Sequence, residues 1–290
     1  MHYVEAAGRY GRPVSPTSAA PRAPVVVTGA GGVVGTALVD ALTRASPGAA
    51  GPADPAMLRL CDLPYATLSP GVDEVRGDLT DPATADRALA GAAAVVHLAG
   101  EPRPDAPWSR LVDGNLTLTA AVLDAAARQG VARVVLAGSV HAAGDVGPAG
   151  WPVAPAHAAR PCCRYGVSKA AAELLARDHA RGRPGASVVT LRFGMVAARP
   201  RWRGEALGWT PLDALAPFVL GALAAPPGYH CVHALATPDA APRYRTGPTT
   251  ELLGHERRVR PADVEGLADD KPELAAACRL WRHGAAEEVA

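Results

Sequence analysis

Short apolar runs alternate with longer amphipathic stretches along the first two-thirds of this chain. Pro24–Thr28 (PVVVT) is β-branched and leads into glycines, which predicts a buried strand. Gly35–Arg44 repeats its apolar residues at helical spacing and predicts a helix. The alternation continues with strands at Met57–Cys61, Val72–Arg76, Ala94–Leu98, Arg133–Ala137 and Ser187–Arg192. Between them lie predicted helices at Pro82–Ala90, Leu111–Gln129 and Tyr165–Ala180, while Ser46–Pro55 reads as a loop. Apolar strands separated by helices imply an α/β fold, a parallel sheet covered on both faces.

Beyond Arg199 the pattern weakens. Pro211–Ala224 predicts a helix and Tyr229–Ala234 a strand, with loops and one or two surface helices after them. The expected organisation is a disordered arm over 1–23, a nucleotide-binding domain over 24–198, a small substrate-binding region over 199–266 and a tail or helix over 267–290.

Composition narrows the function. With 290 residues, 49% of them hydrophobic, the chain can build a sizeable core. A formal charge of +1 offers no electrostatic case for nucleic acid or an anionic membrane. No uninterrupted apolar stretch is long enough for a membrane span, and the Pro/Ala/Gly/Arg-rich 1–23 has no apolar segment of a secretion signal. The five cysteines include no CxxC pair, so no metal site is expected and reduced thiols in a cytoplasm are. His230 and His233 flank Cys231, but strand alternation explains them better than a metal does. Only Lys169 and Lys271 are lysines among 29 basic residues, and Asn115 is the only asparagine. In a chain so biased towards arginine and alanine, a retained Lys or Asn carries extra information.

Thr28–Gly35 reads TGAGGVVG and sets Gly29, Gly32 and Gly35 three residues apart between a strand and a helix. Glycine permits the tight turn and the close backbone approach that a pyrophosphate needs, and the helix N-terminus adds free N–H groups. Asp62 ends the second strand, where an acid accepts hydrogen bonds from ribose hydroxyls and repels a 2′-phosphate. No Arg follows it directly, so NAD is expected rather than NADP. Asp78, in GDLTD, suits either the adenine end of such a site or the start of the helix after Pro82. Together these features specify a Rossmann-type, doubly wound sheet.

Tyr165 and Lys169 form Y-G-V-S-K, and their i, i+4 spacing puts them on one helix face. A neighbouring ammonium is expected to lower the tyrosine pKa and make it a general base. Ser139 ends the preceding strand, where its hydroxyl can hold a substrate oxygen. His141 either contacts substrate or bonds to backbone, and Cys162 and Cys163 read as structural.

In this order, TGxxGxxG, the acid after the second strand, GDLTD, VVHLAG, Ser139 and YxxxK resemble the extended short-chain dehydrogenases/reductases over roughly Pro24 to Gly266. That resemblance implies NAD as cofactor, with Val33, Leu79, Leu98 and Ala99 lining it and Lys169 holding the nicotinamide ribose. It implies that Asn115 kinks its helix and joins a proton relay to Lys169, that the substrate is a small molecule, and that a homodimer forms through the helices at 111–129 and 165–180. A narrower similarity to uronate dehydrogenases runs through HLAGEPRPDAPW, RVVLAGSVHAAG, LRFG and LGWTPLDAL. It points to Arg203, or Arg201, as the anchor of a substrate carboxylate. Where that group carries polar sugar contacts, this chain has Pro102, Val140 and Met195, so a less hydroxylated or larger substrate is expected. A dehydrogenase acting on a sugar-like alcohol or lactol leads. An epimerase with transient oxidation is the alternative. Val140-His141-Ala142, without an Asp-Glu pair, argues against dehydration.

Overall fold

The computed structural model describes residues 23–44, 57–144, 152–239 and 242–268. The expected arm before Ala23, the Ser46–Pro55 loop and the tail from residue 269 onward lie outside the described residues.

The valine-rich run after Pro24 forms β1 (Val25–Thr28), and α1 (Val33–Arg44) follows the glycine turn. Next come β2 (Leu58–Asp62), β3 (Asp73–Arg76), α2 (Pro82–Leu89) and β4 (Ala94–His97). Asp81, not Asp78, caps α2: its Oδ2 accepts from Thr84 N at 3.0 Å, and Pro82 opens the helix.

The stretch expected as one helix over 111–129 is divided. A turn of helix, α3 (Trp108–Leu111), runs into a π-helical segment, Val112–Thr117, before α4 (Leu118–Arg128) resumes regular winding. The widened turn holds Asn115, the residue expected to distort this helix. The chain then forms β5 (Arg133–Ser139), α5 (Val140–Ala143), α6 (Arg164–Arg181) and β6 (Ser187–Phe193). After it come β7 (Met195–Ala197), β8 (Trp209–Pro211), α7 (Leu215–Ala224), β9 (Gly228–His233), α8 (Gly247–Leu253) and α9 (Pro261–Val264).

Seven parallel strands lie in the order β3-β2-β1-β4-β5-β6-β9. The order reverses direction between β1 and β4, and ligands of such sheets bind at the carboxyl ends beside that switch. Alternation along β1 sorts the core: Val25 and Val27 face α1 and α7, whereas Val26 faces α2, α4 and α6. The expected boundary at residue 198 does not divide the sheet, because β9 comes from beyond it and pairs with β6 from Ser187↔Gly228 to Arg192↔His233. No helix among the described residues is long and apolar enough to cross a membrane.

One buried ion pair fixes α6, the helix that bears Tyr165 and Lys169. Glu173 on α6 accepts from Arg192 on β6 at 2.8 and 2.7 Å, and Arg192 Nη1 also donates to Pro155 O at 3.2 Å. Both side chains are nearly inaccessible.

Candidate active site

The glycine turn owes its shape to two close approaches. Gly29 has φ of 67°, and a Cβ there would lie 2.6 Å from Ala99 N. A Cβ on Gly35 would lie 2.1 Å from Gly29 O, so α1 starts tight against the turn. Asp62 spans the end of β2 and this turn: Oδ2 accepts from Gly31 N at 2.8 Å and Oδ1 from Leu63 N at 2.8 Å.

Of the residues expected at the cofactor, Gly29, Gly32, Val33, Gly35, Asp62, Asp78, Leu79, Leu98 and Ala99 line one groove of about 770 Å³, and Lys169 lines the cavity beside it. Tyr65, with 84% of its surface exposed, and Arg110 join that wall and were not foreseen. Asp78 Oδ1 accepts from Thr80 N at 2.8 Å, holding the loop after β3. The groove shares Val33, Leu98, Gly100 and Glu101 with a neighbouring cavity of about 510 Å³. A glycine-walled groove with an acid at one end and a reactive cavity at the other fits an extended dinucleotide.

The cavity contains Ser139, Tyr165 and Lys169. Ser139 reaches it because β5 ends there, in register with Phe193 of β6, which also lines it. Tyr165 and Lys169 face it from the first turns of α6. Lys169 Nζ donates to Ala137 O at 3.1 Å and stands 5.9 Å from the Tyr165 ring centroid. The expected lowering of the tyrosine pKa by this lysine is not what dominates. Burial pushes the Tyr165 phenol up to about 12, opposed by its hydrogen bond to Ser139. Burial likewise brings the Lys169 ammonium down to about 8.

Asn115 is buried, and its side chain is engaged by a loop and α6. Oδ1 accepts from Glu101 N at 3.1 Å, and Nδ2 donates to Glu101 O at 3.2 Å and Ser168 Oγ at 3.0 Å. These bonds pin the loop after β4 to α6 between Tyr165 and Lys169. Lys169, towards which the relay from Asn115 is expected to run, donates to Ala137 O.

Glu101 was missed from sequence. Its carboxylate is buried at the join of groove and cavity, held by Arg103 Nε at 3.0 Å and Arg110 Nη2 at 3.1 Å. The Arg103 hydrogen bond keeps the carboxyl below its ordinary range. The signal lay in E-x-R directly after Gly100, with a second arginine nine positions on from Glu101.

The two arginines expected as alternatives for a carboxylate anchor are placed differently. Arg203 is exposed at the start of a 3₁₀ segment, Arg203–Gly208, and its backbone N donates to Ala268 O at 3.0 Å; it does not line the cavity. Arg201 does. Its Nε and Nη2 donate to the fully buried Glu205, and its guanidinium stacks 4.9 Å from the Trp202 ring centroid. Pro102 and Met195 line the cavity as apolar surface, whereas Val140 is buried away from it.

His141 also lines the cavity. The strand end expected there is instead the short helix α5, whose start is capped by Ser139 Oγ, accepting from His141 N at 3.2 Å. The imidazole packs edge-on against Tyr165, with centroids 5.3 Å apart, and its Nδ1 lies 3.3 Å from Cys163 Sγ. By contrast, His230 Nε2 lies 3.0 Å from Pro226 O and His233 Nδ1 lies 3.3 Å from Arg245 O, so neither side chain is directed at a shared ligand.

The chain matches known proteins over most of this frame. An NAD-dependent glucose-6-phosphate dehydrogenase of Haloferax volcanii is 36% identical over 190 residues, 59% of this chain and 68% of that protein. A uronate dehydrogenase of Pseudomonas syringae pv. tomato is 30% identical over 213 residues, 72% of each chain. The crystal structure of uronate dehydrogenase from Agrobacterium tumefaciens superimposes with a TM-score of 0.73 at 26% identity, covering 87% of this chain and 92% of that one. A tyrosine-to-alanine mutant of the Agrobacterium protein, complexed with NAD, superimposes at 0.70, again at 26% identity, covering 82% and 85%. The model of the NAD dependent epimerase/dehydratase family matches residues 25–206, more than half of the chain, and this protein is an enzyme of that family, with NAD as its cofactor.

Proposed function

We propose that the protein is an NAD-dependent dehydrogenase that oxidises a hydroxyl or lactol carbon of an acidic, sugar-like molecule. The observation that carries this reading is the meeting of Ser139, Tyr165, Lys169 and Arg201 around one cavity at the end of the dinucleotide groove. Bound NAD supplies the hydride acceptor. Tyr165 takes the hydroxyl proton, Ser139 holds the oxygen as charge develops on it, and Lys169 holds ribose hydroxyls. With Nε and Nη2 committed to Glu205, Arg201 offers its Nη1 edge to the substrate anion. The names of the relatives support a sugar carrying an anionic group, since glucose 6-phosphate and a uronate both do. Pro102 and Met195 favour a substrate with fewer hydroxyls on that side of the cavity.

The test is NADH formation against a panel of uronates, sugar phosphates and neutral aldoses. Turnover of an acidic substrate is expected, with Tyr165→Phe reducing it by about 10²–10⁴-fold. No turnover of any member by the wild type, or unimpaired turnover by Tyr165→Phe, would sink the reading. Tightly bound NAD with product inversion and no net NADH would replace it with epimerisation.

A further inference from the structure

The sequence contains no pair of cysteines at zinc-finger spacing, and Cys162 and Cys163 read there as structural. The fold changes their surroundings. It places the cysteine pair at the start of α6 and brings α5 beside it, so that His141, 21 and 22 positions earlier in the chain, joins them. The nitrogen and sulfur ligand atoms of His141, Cys162 and Cys163 all lie within 4.8 Å of one another. His141 Nδ1 and Cys163 Sγ are 3.3 Å apart.

These distances match a known chemistry. Zinc bonds sulfur at about 2.3 Å and imidazole nitrogen at about 2.0 Å, so ligand atoms around one tetrahedral ion lie roughly 3.5–4 Å apart. A separation of no more than 4.8 Å puts the three atoms within about 1 Å of that spacing. The ligand set is soft, which selects zinc or cadmium over magnesium or calcium. Both cysteines are only partly buried, and His141 opens onto the catalytic cavity, so an ion has a way in. Cys163 Sγ also accepts from Gly166 N at 3.4 Å at the positive end of an 18-residue helix, a place that favours a sulfur anion.

We propose that His141, Cys162 and Cys163 form a binding site for a thiophilic divalent cation, zinc in the first instance, against the wall of the active site. Three protein ligands leave a fourth position for water or another group. An ion there ties α5 to the first residues of α6. It fixes the His141 ring that packs against Tyr165, two residues beyond Cys163.

The test uses the full chain, stripped with a chelator and titrated with Co²⁺. Expected is a thiolate-to-cobalt charge-transfer absorption that saturates at one equivalent and is abolished by Zn²⁺. It is expected to be lost in Cys162→Ser and in Cys163→Ser, the latter keeping a side chain that caps helices well. A cobalt spectrum without charge transfer, or a band that survives both substitutions, overturns the site. A second measurement needs no substitution. Zinc is expected to protect Cys162 and Cys163 from iodoacetamide, read by mass spectrometry, while Cys231 labels equally with and without it. Equal labelling of all three overturns the proposal. Neither readout requires substrate or NAD, so the site stands or falls separately from the dehydrogenase reading.

Discussion

In the proposed reaction Tyr165 works under an opposing pressure, because burial raises its phenol to about 12 while a general base must be ionised. Below its effective pKa, each pH unit changes the ionised fraction tenfold. The rate of substrate oxidation is therefore expected to climb with pH across neutrality, while carbonyl reduction, which uses the protonated phenol, stays level there. A flat profile of kcat/KM would contradict Tyr165 as the base. Arg201 belongs to the same scale. Arg201→Ala is expected to raise KM for an acidic substrate by roughly 10–100-fold and to leave a neutral aldose unaffected, the pattern of lost ground-state binding. Arg203→Ala serves as the comparison and should change neither. Two histidines set the acid limit of the fold. Burial drives His97 and His233 from 6.5 to about 3, so both stay neutral in the folded chain. The unfolded chain takes up protons that the folded one refuses, so this stability is complete above 6.5 and is lost as pH falls towards 3. Thermal unfolding followed by circular dichroism should show Tm dropping through that window, less steeply in His97→Gln.

At the scale of elements, α6 is the platform of the site, and its position depends on Glu173 and Arg192. Glu173→Ala leaves a guanidinium buried without its carboxylate, and the expected loss is about 3–5 kcal/mol in urea unfolding. Replacing both residues with apolar ones of similar volume should restore most of it. A loss below about 1 kcal/mol would show that the pair does not anchor the helix. The same helix leaves Val167 and Leu174 exposed, seven residues and so about two turns apart on one face. That face predicts self-association. Light scattering should report a dimer for the wild type and a monomer for Leu174→Glu. The interrupted helix at 108–128 teaches why element boundaries escape sequence reading. Its apolar spacing is continuous, so periodicity alone predicts one rod. The π turn arises because buried Asn115 must reach the Glu101 backbone and Ser168 together, a demand made by two other parts of the chain.

For the whole molecule, groove and cavity meet because strands β1, β2, β4, β5 and β6 all end on one edge. Cofactor binding should thus stabilise the entire sheet. NAD at a hundred times its Kd is expected to add about 2.7 kcal/mol to unfolding, and NADP at the same concentration is expected to add less, on the reading that the Asp62 carboxylate repels a 2′-phosphate. Equal stabilisation by the two, measured by differential scanning calorimetry, would remove Asp62 as the discriminator.

The sequence alone determined the alternation of strands and helices, the glycine turn, Asp62 at the end of its strand, and the placing of Tyr165 and Lys169 on one helix face. Those features are local: side-chain period, glycine's freedom at φ above zero and i, i+4 spacing act within a few residues. Tertiary structure alone decided that Glu101 is buried between Arg103 and Arg110, that Arg201 rather than Arg203 lines the cavity, and that His141 meets Cys163. Each depends on where loops from different strand ends converge. That convergence follows from packing both faces of one sheet, and no spacing along the chain records it.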